Sequence, residues 1–174
     1  MDLRIDEAVA VLQRTPSTLR ALLLRLPPSW LTGNEGPDTF SPYDVVGHLL
    51  HGEETDWIPR ARIILEHGES MPFEPFDRFA FRDKYRGKQV SELLDMFETR
   101  RSKNLRDLDE MALGGEQLQL RGTHPELGPV TLGQLVATWV VHDLAHISQI
   151  VRVMARQYNS AVGPWKTYLS IIDQ

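Results

Sequence analysis

The run from Leu132 to Gln157 carries no proline and, after Gly133, no glycine, and its apolar positions recur with helical spacing. The stripe Leu135, Trp139, His142, His146, Ile150 and Val153 advances by 4, 3, 4, 4 and 3 residues, as on the buried side of a bundle helix. His142 and His146 therefore stand where leucines are expected. Adjacent turns put them about 6 Å apart along the axis, so both imidazoles can reach one metal ion at about 2.0–2.1 Å. Without a metal, each would need its own buried partner. A bundle in which both are merely hydrogen-bonded core residues is the alternative.

Three further long segments share this amphipathic character. Ile5 to Leu26 reads as one helix, bent at Pro16 and ended by Pro27-Pro28. Ser41 caps a second helix, with Pro42 at its first position and Asp44 in its first turn; it runs to about His67 and should kink at Pro59. The third starts between Gln89 and Ser91 and runs to about Asp109, with Leu93, Leu94, Phe97, Leu105 and Leu108 as its core stripe and Arg101 and Asn104 at the edge of that stripe. Between the second and third lies an aromatic and proline-rich connection, Gly68 to Lys88, long enough to cross the bundle and wall a pocket. Gly122 to Val130 suggests a short hairpin or ordered loop. Thr131 and Gln134 form a capping box for the fourth helix, and Pro164 to Ile172 reads as a short terminal helix. The expected fold is all-α: a four-helix bundle with a long crossover after helix two, a hairpin or loop before helix four and a short C-terminal helix.

Composition narrows the chemistry. The 174 residues are 41% hydrophobic, enough for a single domain over residues 1–174 to bury a core without cross-links. There is no cysteine, so a metal must be held by His, Asp or Glu, and any thiol chemistry needs a thiol from outside. A net charge of -5 argues against a nucleic-acid partner. The basic knot Arg100-Arg101-Ser102-Lys103 is expected on a solvated helix face balanced by Glu98 and Asp107. The acidic N-terminus and the absence of a long apolar run predict a soluble, cytoplasmic protein without a membrane partner.

His48 is the one other histidine placed in a helix at the edge of a buried face, so three imidazoles can meet. Three neutral histidines with an open position is the arrangement of a catalytic site, and imidazole suits Zn or Ni rather than Ca or Mg. Gly52, one turn on, is expected to leave room above His48, while His51 should point to the solvent side. Fourth ligands would have to come from Glu53, His51 or His124, none of which lies on the stripe. Glu53 falls between Leu49 and Trp57 on the apolar face, either paired with an arginine of a neighbouring helix or serving the site. Asp143 and Gln149 either orient the imidazoles or are polar residues of the helix surface. Glu53 and Asp143 are thus the candidate catalytic residues, Arg101 and Asn104 candidate cofactor-binding residues, and His48, His142 and His146 the metal ligands. The pentapeptide from His142 to His146 also looks like the zincin motif His-Glu-x-x-His with aspartate for glutamate, but only Asp173 follows it as a third ligand.

His48, the pair His142 and His146, Gln149-Ile150, the tail Gly163-Pro164-Trp165-Lys166-x-Tyr168-Leu169 and the segment Gly122-x-His124-Pro125-x-Leu127-Gly128-Pro129-Val130 together resemble the DinB-like (DinB/YfiT) superfamily of metalloenzymes. The resemblance covers nearly the whole chain. It implies a bundle with a long crossover, a divalent metal on the three histidines, a homodimer and a small-molecule substrate. Some relatives use the metal to activate a low-molecular-weight thiol for S-transfer or isomerisation, and others are described as metal-dependent hydrolases. The expectation is therefore a metal-dependent transferase or hydrolase, and the alternative a metal-binding bundle without catalytic activity.

Overall fold

The computed structural model of this chain describes residues 3–172; Asp173, the zincin-type third ligand, lies outside them. The fold is all-α apart from one two-stranded hairpin. Its first segment is two helices, α1 (Ile5–Leu12) and α2 (Thr15–Leu23), where the sequence predicted one bent helix. The break has a plain cause. In a continuous helix the Leu12 carbonyl would accept from residue 16, but Pro16 has no N–H. Arg101 supplies the missing donor, its Nη1 lying 2.7 Å from Leu12 O. A short helix α3 (Pro28–Thr32) then leads to α4 (Pro42–Thr55). The cap of α4 is as expected: Ser41 Oγ accepts from Asp44 N–H at 3.1 Å and the Asp44 carboxylate accepts from Ser41 N–H at 3.0 Å.

The second segment also divides, into α4 and α5 (Trp57–His67), and the break falls at Asp56 instead of Pro59. Pro59 sits in the first turn of α5, where a missing N–H costs nothing. The connection contains a one-turn helix α6 (Phe81–Lys84), followed by α7 (Val90–Glu110) and the four-residue α8 (Gly115–Leu118). Strands β1 (Arg121–His124) and β2 (Gly128–Thr131) pair antiparallel with Arg121 opposite Thr131 and His124 opposite Gly128. Gly128 takes φ +72°, the left-handed conformation that closes the turn. The connection docks on this hairpin, since Phe73 N–H donates to Thr123 O at 2.9 Å. The 25-residue α9 (Leu132–Arg156) follows, capped by Thr131 and Gln134 as predicted. The tail is two 3₁₀ turns, Gly163–Tyr168 and Ser170–Ile172, where a terminal helix was expected. Among the described residues no helix is long and apolar enough to cross a membrane.

The core has two apolar clusters. One gathers Leu19, Val46, Leu50, Phe81, Leu94, Phe97 and Ile150; the other gathers Leu12, Trp57, Ile64, Leu108, Leu132, Val136 and Trp139. Along α4, α7 and α9 the residues between the clusters are polar and buried: Glu53, then Arg101 and Asn104, then Asp143. The hairpin closes over the second cluster so tightly that a Cβ on Gly122 would lie 2.7 Å from Ile64 Cγ1 and 2.9 Å from Phe73 Cε1. Gly122→Ala should therefore cost about 1–3 kcal/mol through overpacking. Urea unfolding measures it, and an unchanged midpoint would show that the hairpin is loosely held.

Candidate metal centre

His48 from α4 and His142 and His146 from α9 meet at the level between the two apolar clusters. One ligand nitrogen from each lies within 4.8 Å of the others, and no other such group of three exists among the described residues. His48 Nε2 stands 3.3 Å and His146 Nε2 3.1 Å from His142 Nε2. A tetrahedral ion with Zn–N bonds of about 2.0–2.1 Å separates its nitrogens by about 3.3 Å, so both separations from His142 already match.

Tautomers point the same way. His48 Nδ1 donates to the Arg78 carbonyl at 3.3 Å and His146 Nδ1 donates to Gln149 Oε1 at 2.8 Å, which leaves both Nε2 atoms with lone pairs facing inward. His142 Nδ1 is buried without a hydrogen-bond partner. If the proton of His142 sits there, three lone pairs converge; if it sits on Nε2, a buried acceptor is left unpaired. A cation at the centre relieves the first conflict, so the residues fit a divalent metal. Burial, and then the neighbouring imidazoles, push His48 down to about 4 and His142 to about 3. Burial also lowers His146, against the hydrogen bond it donates to Gln149. All three are thus neutral at pH 7, the form that ligates metal.

The pocket is built of rings. Phe40, Phe76 and Phe81 surround His48 at centroid distances of 5.3, 5.5 and 6.1 Å, and Trp57 meets His142 at 5.1 Å. Gly52 does not open space above His48 as expected: a Cβ there would touch Trp57 Nε1 at 3.5 Å. His51 is not on the solvent side either. It is buried, with its ring 5.1 Å from Phe76, because the crossing connection covers that face of α4.

Glu53, Asp143, Arg101 and Asn104 come together beneath the histidines, and none of them lines the cleft above. Arg101 is 1% exposed, so it is not on the solvated face predicted for the basic knot. Its Nη1 donates to Asp143 Oδ2 at 2.7 Å and its Nη2 to Glu53 Oε1 at 2.8 Å. Asn104 Nδ2 donates to Glu53 Oε2 at 3.0 Å and Trp139 Nε1 to Glu53 Oε1 at 2.9 Å. Asp143, fully buried, is no helix-surface residue. Burial raises the Glu53 carboxyl despite Arg101, while the two carboxylates hold the Arg101 guanidinium above its ordinary value against the cost of burial.

A cleft of about 400 Å³ opens from His48 and His142 between the connection, the hairpin and the start of α9. Its lining includes one residue that sequence reasoning missed, Asp56, whose carboxyl burial raises to about 6 even though Arg60 Nε lies 2.6 Å away. The signal was absent because the helix break that turns Asp56 into the cleft was expected three residues later.

The sequence pattern of the DinB superfamily matches residues 12–150. The chain belongs to this superfamily. Among solved structures it is similar to YfiT from Bacillus subtilis, described as a probable metal-dependent hydrolase with an unusual four-helix bundle topology. The TM-score is 0.75 at 21% identity, over 88% of this chain and 87% of that one, which establishes a common fold. A comparison with curated proteins gives no match.

Arg101→Met would leave Glu53 and Asp143 buried without their cation, and should cost about 3–5 kcal/mol at pH 7. Arg101 lowers the Glu53 carboxyl against the effect of burial, so without it Glu53 holds its proton more tightly still, and ionising it as pH rises costs the variant more stability than the parent. The deficit should therefore be smaller at pH 5 than at pH 7. Denaturant unfolding at the two pH values checks this, and equal deficits would show that Glu53 ionisation does not contribute.

Proposed function

We propose that this chain is a metal-dependent enzyme acting on a small molecule in the cleft, with water as the nucleophile. The observation that carries this reading is the inward convergence of three Nε2 atoms at the end of a cleft whose wall holds Asp56. His48, His142 and His146 would hold a divalent cation, with Zn or Ni suiting the all-imidazole set. When bound, such an ion supplies Lewis acidity that makes a water or thiol nucleophilic at neutral pH.

The remaining work falls to the protein. Asp56 is ionised at pH 7 yet basic enough to accept a proton, the balance general-base catalysis needs, and Arg60 fixes its orientation. Trp57, Phe73 and Phe76 wall the cleft and limit its water. Glu53, Asp143, Arg101 and Asn104 act as positioning residues: they lock α4, α7 and α9 together one turn from the ligands. The fold shared with YfiT supports the hydrolytic reading. A second reading, transfer to an exogenous low-molecular-weight thiol, is favoured by the absence of cysteine.

Elemental analysis of untagged protein should find one divalent metal per chain, and metal competition with a chelator should show that His142→Ala abolishes tight binding. Gln149→Leu, which frees His146 Nδ1, should weaken metal affinity about 10–100-fold. Far-UV circular dichroism should survive chelation, because the apolar clusters and not the ion hold the helices. Parent-like metal affinity in His142→Ala would remove this site.

Ester, amide and thiol-transfer substrates assayed in parallel decide between the two nucleophiles. Under either, activity should rise with pH through about 6 as Asp56 ionises. Asp56→Asn should lower kcat about 10²–10⁴-fold and abolish that acid limb. A retained limb in the variant would show that another group takes the proton.

A further inference from the structure

The hairpin carries into the cleft a group that the chemistry above does not use. His124 Nδ1 accepts N–H bonds from Glu126 and Leu127, both at 3.2 Å. A nitrogen that accepts cannot carry the proton, so the neutral ring bears its hydrogen on Nε2 and presents a donor. The edge-on ring of Phe73, 6.3 Å away, helps set its orientation.

Arg78 reaches the same cleft from the connection. Its guanidinium lies 5.2 Å from the Phe40 ring and 4.9 Å from the Phe79 ring, which hold it in place. Arg60, the other arginine of the lining, is neutralised by Asp56. Arg78 makes no ion pair among the described residues, nor does Glu126, exposed at the hairpin turn. Arg78 is exposed, and stacking on the aromatic rings fixes where it lies while leaving its guanidinium donors open to a ligand in the cleft.

We propose that Arg78 and His124 form an anion subsite that takes a carboxylate of the substrate, with the reacting end of the molecule directed toward His48 and His142. This rests on the cleft being the substrate site. The planar fork of Arg78 matches the two oxygens of a carboxylate, and the Nε2 hydrogen of His124 completes the contacts. Arg60 pairs with Asp56, and the remaining charges of the lining are Arg78 and the exposed Glu126 at the hairpin turn, so a single negative charge suits the lining better than a dianion.

The test uses metal-free, full-length protein, so that a carboxylate cannot bind through the metal. Benzoate, its uncharged analogue benzamide, and inorganic phosphate are titrated by calorimetry, with ¹⁵N spectra of the arginine and histidine side chains recorded alongside. Benzoate should bind saturably and shift the Arg78 and His124 signals, with benzamide about tenfold weaker or more. Arg78→Gln and His124→Phe should each lower benzoate affinity about tenfold, with Arg78→Lys between parent and Arg78→Gln. Circular dichroism confirms that each variant folds. The proposal is overturned if benzamide binds as well as benzoate, if the variants bind like the parent, if phosphate binds more tightly, or if no saturable binding occurs. Metal uptake by the same proteins is measured separately: a parent that binds benzoate but no metal would sink the metal reading and leave the subsite standing.

Discussion

The guanidinium of Arg101, sealed between Glu53 and Asp143, is the interaction on which the remaining architecture depends. One side chain from α7 reaches α4, α9 and the end of α1, and four of its five donors find acceptors. Such a buried charge cluster is a poor source of stability compared with apolar packing of equal volume. What it supplies is register. Two bundles of leucines can slide past one another by a turn at little cost, but a fork of hydrogen bonds to two carboxylates on different helices has one solution. That register sets His48 opposite the pair on α9.

The same layer accounts for the irregular first segment. Pro16 strips the Leu12 carbonyl of its helical donor, and a buried carbonyl left unpaired would be costly. Because Arg101 fills that vacancy, the break between α1 and α2 is compatible with a dry interior. Core and histidine cluster are therefore not separate features. The polar stratum that divides the two apolar clusters is also the floor beneath the imidazoles.

Much of this was legible in the residues. The spacing of His142 and His146, the caps at Ser41 and Thr131, and the stripe of α7 all follow from local periodicity, which depends on few neighbours. In hindsight, Leu94, Phe97, Arg101, Leu105 and Leu108 advance by 3, 4, 4 and 3 residues, so Arg101 lies within a buried row and not at its edge. Val136, Trp139, Asp143 and Ile150 form a similar row. What local pattern could not provide is the path of the connection. Its course covers His51 with Phe76 and brings Arg78 and Phe73 to the cleft, through contacts between residues far apart in sequence. The shift of the helix break from Pro59 to Asp56 was hidden for another reason: a proline is as acceptable in a first turn as it is disruptive in a helix interior.

The hairpin is joined to the bundle by short links at either end and contributes nothing to the Arg101 layer. It forms one wall of the cleft, and its backbone touches neither the three histidines nor the helices' shared charge cluster in any hydrogen bond. The molecule thus divides its labour between parts of unequal structural freedom. Helices α4, α7 and α9 are bound to one another by a geometry that tolerates few exchanges, whereas in the eleven-residue ribbon the tight packing is at Gly122 and the turn residues Pro125, Glu126 and Leu127 are exposed. Exchanges at that turn would change what the cleft admits while the three histidines keep their places.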